Sequence, residues 1–507
     1  MGRVKSAARN IAFGYIGNIM TQLLGFISRT ILIAHLGNTI NGVNDLYTGI
    51  LSVLSLAELG VGTALNYSLY KPVANKDYEK IKAYMQLYKK AYRVIGLGIA
   101  VLGLAISPFL SYLVKQPEGI SVRDLTLYYL IFLFNTVSSY FVAYKYSLVN
   151  AEQNNYIQTN IITVTKMITA LLQITIVLAT ENFYAYLLTA ALIELFQKIF
   201  VSRYLNKRYP YLKDKNVQKL TKEESGEIVR KTKALVFHKV GDVARLQTDS
   251  IIISSFINVT LVGFVGNYNM ILTSIANFVN IIFNSVLSSF GNLIATESKE
   301  KQYSIFKVYR FFACWIYGFS AVGFFLLLTP FIILWQGRES VLAVSVVACI
   351  LIDYYFKGDR IILSNFKTAA GVFEQDKYLA LIQGAINLVI SIALVQKIGL
   401  AGVYIGTIVS GLIANITKPF IIYRVCFNKP VKGYFLESVK YIAVLCVLLA
   451  ALLAIRNRVM TEVTFLSFGI MFVIICVVFN GVFLLLFGKS EEFGYLREIV
   501  GRKVKRK

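Results

Sequence analysis

The 507-residue chain is 56% hydrophobic and only 16% charged, with a mean hydropathy of +0.62, which excludes a water-soluble globule. Its formal net charge of +25 is spread over alternate short segments between apolar runs, the positive-inside pattern of a polytopic membrane protein and not the clustered charge of a nucleic-acid binder. Five cysteines in or beside apolar runs, with no CxxC, exclude a disulfide framework, and two histidines (His35, His238) exclude a histidine-rich metal site.

The basic start, MGRVKSAARN, leads into an apolar run longer than a signal-peptide core, so it reads as the first spanning helix with its N-terminus in the cytoplasm. About fourteen spans are predicted, near 9–36, 43–69, 92–115, 125–149, 157–180, 183–204, 232–257, 261–294, 308–335, 341–365, 379–396, 401–423, 438–456 and 464–487. The segments 71–93, 203–233 and 489–507 then hold most of the lysine and arginine and fall on the cytoplasmic side with both termini. The basic stretch 76–93 reads as a solvated loop helix, with an amphipathic helix on the anionic inner leaflet as its alternative.

The chain repeats itself at an offset of about 222 residues. Ser107-Pro108-Phe109 recurs as Thr329-Pro330-Phe331, Glu152-Gln153 and Tyr156 as Glu374-Gln375 and Tyr378, Asn206-Lys207 as Asn428-Lys429, and Gly42 and Tyr47 as Gly263 and Tyr268. The predicted fold is an all-α polytopic membrane protein with two six-helix lobes related by an axis along the membrane normal. An N-lobe covers 1–206, a cytoplasmic loop 207–230, a C-lobe 231–430, and two further helices with a basic cytoplasmic tail 431–507.

Charges inside the spans mark the candidate site, because one near the bilayer centre costs roughly 2.5–3.5 kcal/mol on insertion scales. In the seventh span His238, Asp242, Arg245 and Asp249 lie 4, 3 and 4 residues apart, on one narrow helical face. Shifted by the repeat they fall on Asn18, Gln22, Gly25 and Arg29 of the first span. The tenth span shows the same spacing at Asp353, Lys357, Arg360 and Ser364, while Glu58 and Lys166 add further ionisable groups. Facing stripes of this kind would enclose a polar, net-cationic cleft. Two readings stay open for each charge: ligand binding, or neutralisation by a neighbour such as Arg245–Asp249 or Asp353–Lys357. Arg29 has no carboxylate at helical spacing, so it is the better candidate for an anionic ligand, unless Glu58 pairs with it.

The run from Arg29 through HLGNTINGVNDLY to SLAELGVGTALNYSLYKPVANKDYEKI resembles the O-antigen and capsule type oligosaccharide flippases of the multidrug/oligosaccharidyl-lipid/polysaccharide exporter superfamily. The resemblance covers nearly the whole chain. It implies a transporter, not an enzyme, that moves undecaprenyl-diphosphate-linked oligosaccharide across the bacterial plasma membrane for polysaccharide biosynthesis. The implied partners are that lipid, the bilayer, and a polysaccharide polymerase with its chain-length machinery, with no nucleic acid and no cofactor. The expected substrate-binding set is Arg29, Arg245, Arg360, Lys357, Lys166, Asn18, Gln22 and His238. Glu58, Asp242, Asp249 and Asp353 are expected to pair charges or to couple transport to protons or sodium. Two relatives are the alternatives. Lipid II flippases carry an Arg-Asp pair where this chain has Arg29-Thr30, and cation-coupled drug exporters have twelve helices and an acid in the first. A membrane polymerase or glycosyltransferase is disfavoured by the short loops and by the lack of DxD, GxxxxGK[ST] and HExxH motifs.

Overall fold

The computed structural model describes residues 3–55, 68–115, 119–214, 247–284, 286–372 and 374–504, with isolated positions between 217 and 226. Among the described residues the chain is 88% helix without a strand. It divides into two compact units, Met1–Gly263 and Phe264–Lys507.

Unit 1 begins with α1 (Arg3–Leu54), which is non-helical only at Gly37, where φ is 82° and ψ 169°. A left-handed φ suits glycine because no Cβ meets the carbonyl. In one straight helix residues 29 and 45 would stand about 24 Å apart. Arg29 Nη2 and Asp45 Oδ2 are instead 2.5 Å apart. The chain therefore folds back at Gly37, and its two limbs carry the first expected span and the described start of the second. The third span is α2 (Tyr78–Ile106), capped by the Asp77 side chain accepting from Lys80 N. This corrects the reading of 76–93 as a separate loop helix: its helical part continues unbroken into the span. The fourth span is α3 (Val122–Ala143) and α4 (Tyr146–Ala151), separated at Tyr144–Lys145. Then come α5 (Asn155–Thr180), α6 (Phe183–Arg208) and the short α7 (Asp249–Phe256).

Small residues set the helix crossings, as expected where lipid offers no hydrophobic drive to pack. A Cβ at Gly17 would meet Thr163 of α5, and His35 Nδ1 reaches Glu181 Oε1 at 2.9 Å. Both contacts share one register, so the first limb and α5 run parallel over about 27 Å. Gly96 lies against Tyr140 and Gly103 against Leu133, which makes α2 and α3 antiparallel. The second limb crosses the start of α8 (Val259–Asn284) backbone to backbone: a Cβ at Gly42 would run into Val259 O, and one at Gly263 into Asn38 O. Thr39 and Thr260 exchange a hydroxyl hydrogen bond of 3.0 Å beside this crossing. Repeat-related residues thus meet each other.

Unit 2 continues with α9 (Leu287–Thr296), α10 (Lys299–Gln336), α11 (Val344–Asp359) and α12 (Ile361–Ala369). It is completed by α13 (Leu379–Ile398), α14 (Leu400–Ile422), α15 (Lys432–Val459), α16 (Phe465–Phe487) and α17 (Glu491–Val504). Close packing of α13 on α14 follows from Gly402 against Leu394 and Gly406 against Ser391. Gln383 Nε2 to Ser410 O (2.6 Å), Asn387 Nδ2 to Thr407 Oγ1 (3.0 Å) and Ser391 Oγ to Val403 O (3.0 Å) bind the pair. A dry core of Phe311, Leu326, Leu452, Met471, Phe479 and Phe483 joins the last two spans to α10. The repeated tyrosines do equivalent work in their own units. Tyr47 OH donates to Leu125 O (2.9 Å) and Tyr268 OH accepts from Leu342 N (3.2 Å), each tying its helix to the start of a span further along.

Eleven helices among the described residues are long and apolar enough to cross a membrane. The difference from fourteen has three causes. The folded α1 counts once, the tenth span is broken at Arg360 into two short helices, and most of the seventh lies outside the described residues. The protein is a multi-pass, all-helical membrane protein.

Candidate functional site

Four of the expected residues of unit 1 lie at successive levels along the first limb of α1 and its neighbour α5, an array we term the column. Asn18, Gln22 and Arg29 fall on one face of the first limb of α1, whose spacing of 4 and 7 residues follows the helical repeat. The parallel register with α5 sets Lys166 level with Met20, between Asn18 and Gln22. Lys166 and Asn18 are exposed, and no carboxylate lies within ion-pair distance of Lys166 among the described residues. Arg29 stands about 13 Å beyond that level on the first limb of α1.

Arg29 presents its fork to Asp45, with Nη2–Oδ2 at 2.5 Å and Nη1–Oδ1 at 3.3 Å. Its Nη2 also reaches Gly263 O at 3.5 Å, an acceptor shared with Asn41 Nδ2 at 3.3 Å. The pair keeps some access, with side-chain exposures of 15% and 22%. A bidentate guanidinium suits carboxylate and phosphoryl oxygens alike. Asp45, which spacing along a helix does not reveal, is therefore the carboxylate that holds Arg29.

Asp249 opens α7, where an acid favours the helix dipole, and Ser250 beside it packs against Gly49 of the second limb. His238, Asp242, Arg245 and Glu58 lie outside the described residues.

In unit 2 the tenth span is interrupted at Arg360, within the expected stripe. Asp353 and Lys357 form an i,i+4 pair of 2.6 Å. Arg360 turns into the interior, where Nη1 donates to Gly411 O (3.0 Å) and Asn415 Oδ1 (2.7 Å) and braces the break against α14. Ser364 accepts from Lys418 Nζ at 2.9 Å. A cluster with no signal in linear spacing lies across three helices. Arg310 of α10, only 1% exposed, donates to Glu437 Oε2 (2.8 Å), Ser438 Oγ (2.5 Å) and Tyr434 O (3.0 Å), and its guanidinium stacks 3.5 Å from the Tyr434 ring centre. Asp359 completes it, accepting from Tyr434 OH at 2.8 Å. These groups fasten α15 to α10 and α11.

No protein-family model and no curated protein matches the chain in sequence. Solved structures match it in fold, and they define the class: the chain has the fold of the multi-pass transporters of the MOP superfamily. The lipid II flippase MurJ, in an inward closed conformation, matches with a TM-score of 0.68 over 94% of this chain and 99% of that one, at 14% identity. An inward-facing multidrug resistance MATE family transporter of that superfamily matches with 0.62 over 80% and 94%, at 16% identity. A MOP superfamily transporter from Pyrococcus furiosus matches with 0.55 over 84% and 97%, also at 16% identity.

Proposed function

We propose that the protein is a flippase that carries undecaprenyl-diphosphate-linked oligosaccharide from the inner to the outer leaflet of a bacterial plasma membrane, for polysaccharide biosynthesis. The observation that carries this reading is Lys166, an exposed cation in the middle of a spanning helix with no carboxylate beside it among the described residues. A charge placed there needs a partner of opposite sign, and a diphosphate supplies one. Asn18 and Gln22 offer hydrogen bonds to sugar hydroxyls at neighbouring levels, and Arg29, held by Asp45, presents a second, partly accessible cation further along. The transporter fold supports movement of a ligand over chemistry on it. An inside-negative potential favours outward movement of the anion by roughly 2.3 kcal/mol per charge per 100 mV. On this reading both termini lie in the cytoplasm with the basic segments, and the lobes cover 1–206 and 231–430.

A second reading, a lipid II flippase, is favoured by the fold likeness to MurJ over nearly the full length of both chains. The two substrates share the diphosphate and differ in sugar, so the column serves either. Cells lacking the protein decide between them. On the first reading they accumulate lipid-linked repeat units on the cytoplasmic face and lose the surface polymer, and Lys166→Ala does not restore it. Accumulated lipid II instead supports the second. Normal arrival of both lipids at the outer leaflet, with no second flippase present, defeats the proposal.

A further inference from the structure

The two halves of the repeat treat one lysine differently. Lys145 and Lys367 stand about 222 residues apart, at the repeat offset, and both are buried. In unit 2 Lys367 Nζ meets the two carboxylate oxygens of Asp376 at 2.6 and 2.5 Å. In unit 1 the residue at the Asp376 position is Asn154, and Lys145 Nζ rests on neutral acceptors: Ser202 Oγ (2.8 Å), Asn206 Oδ1 (2.9 Å) and Ser202 O (3.3 Å). Dipoles satisfy its hydrogens but leave its charge uncompensated, and a buried uncompensated charge is costly.

Further cations stand beside it. The antiparallel register of α2 and α3, set by Gly96 against Tyr140 and Gly103 against Leu133, places Lys89 and Arg93 level with Ser147 and Ala143, on either side of Lys145. Lys89, Lys90 and Arg93 are exposed, and the same end of α6 adds Arg203, Lys207 and Arg208. The nearby carboxylate of Glu152 is already taken by Tyr209 OH (2.7 Å) and Arg208 Nη2 (3.5 Å). On the apolar side of Lys145 the next charges along α6 are Lys198 and Glu194, 3.6 Å apart.

We propose that Lys89 and Arg93, with the charge of Lys145 beneath them, form a seat for the phosphate of an anionic phospholipid headgroup in the leaflet at this end of unit 1. Exposed apolar residues Val94, Leu97 and Val101 follow the cations along α2, so a lipid whose phosphate sits in the seat lays its acyl chains against them. The seat is separate from the Lys166 column and depends neither on the flippase reading nor on which side faces the cytoplasm.

The test uses the purified full chain in nanodiscs, melted in phosphatidylcholine alone and in phosphatidylcholine with phosphatidylglycerol, and in detergent with inorganic phosphate. The anionic lipid is expected to raise the melting temperature and inorganic phosphate is not. Asn206→Asp places a carboxylate where the amide oxygen already meets Lys145. This variant should melt higher in phosphatidylcholine and lose most of the increment from phosphatidylglycerol. The exposed double variant Lys89→Gln, Arg93→Gln should melt as wild type in phosphatidylcholine and lose the increment as well, and it carries the test if Asn206→Asp does not fold. An undiminished increment in the double variant, or none in wild type, overturns the proposal. A shift reproduced by inorganic phosphate alone contradicts the lipid assignment. Because no transport is measured, failure here leaves the flippase reading untouched, and the reverse.

Discussion

The interior of unit 2 and the Lys166 column of unit 1 hold their charges in different ways. In unit 2 the cations of the interior are closed in: Arg310 by Glu437, Ser438 and Tyr434, Lys367 by Asp376, and Arg360 by Asn415 and Gly411. In unit 1 Lys166 is exposed, and Arg29 is accessible even while it pairs with Asp45. The difference separates two uses of the same residue types. A closed charge fixes helices to one another, whereas an open one is available to a ligand.

The largest test of that contrast sets Arg310→Ala against Lys166→Ala. The first strands Glu437 and Asp359 and should cost about 3–5 kcal/mol, read as loss of folded protein in the membrane. The second should change stability by no more than about 0.5 kcal/mol and still abolish transport. Equal loss of folded protein in both would break the comparison. Unit 1 has structural joints of its own, and one of them is made by backbone contact. Gly42→Val, which drives a Cβ into Val259 O, should cost about 1–3 kcal/mol in thermal unfolding. Gly98→Ala, with no atom within 4 Å, is the neutral control. The smallest effect belongs to the exposed pair of His35 and Glu181: Glu181→Gln should shift stability by about 0–1 kcal/mol. A larger loss there would show that the first limb and α5 depend on a charge pair for their packing.

The spans were legible in the sequence because apolar length is a direct physical requirement of the bilayer, and the repeat because glycine at a backbone crossing admits no substitute. Gly42 and Gly263 are matched residues that touch. The partner of Arg29 was not legible along helical spacing, since Asp45 comes into reach only once the chain reverses at Gly37. The predicted spans 9–36 and 43–69 already imply that reversal, and comparing charges across the turn would have found the pair. The stripe from Asp353 to Ser364 divides by partner, which spacing does not show: Asp353 and Lys357 pair with each other, while Arg360 and Ser364 bind α14. Arg310, Asp359 and Glu437 sit on three helices far apart in sequence, so no linear pattern connects them. Lys166 was legible from the sequence alone, as a charge stranded in an apolar span.

The central claim is that the open column of unit 1 carries a lipid diphosphate across the membrane. Its most direct test is a leaflet assay with purified protein in vesicles containing undecaprenyl-diphosphate-linked oligosaccharide, in which an impermeant glycosidase or lectin reports the sugar that becomes accessible. Wild type and Arg310→Lys, if it folds, should both expose the sugar, while Lys166→Ala, folded and inserted in equal amount, should expose none above empty vesicles. Full activity of Lys166→Ala would contradict the account.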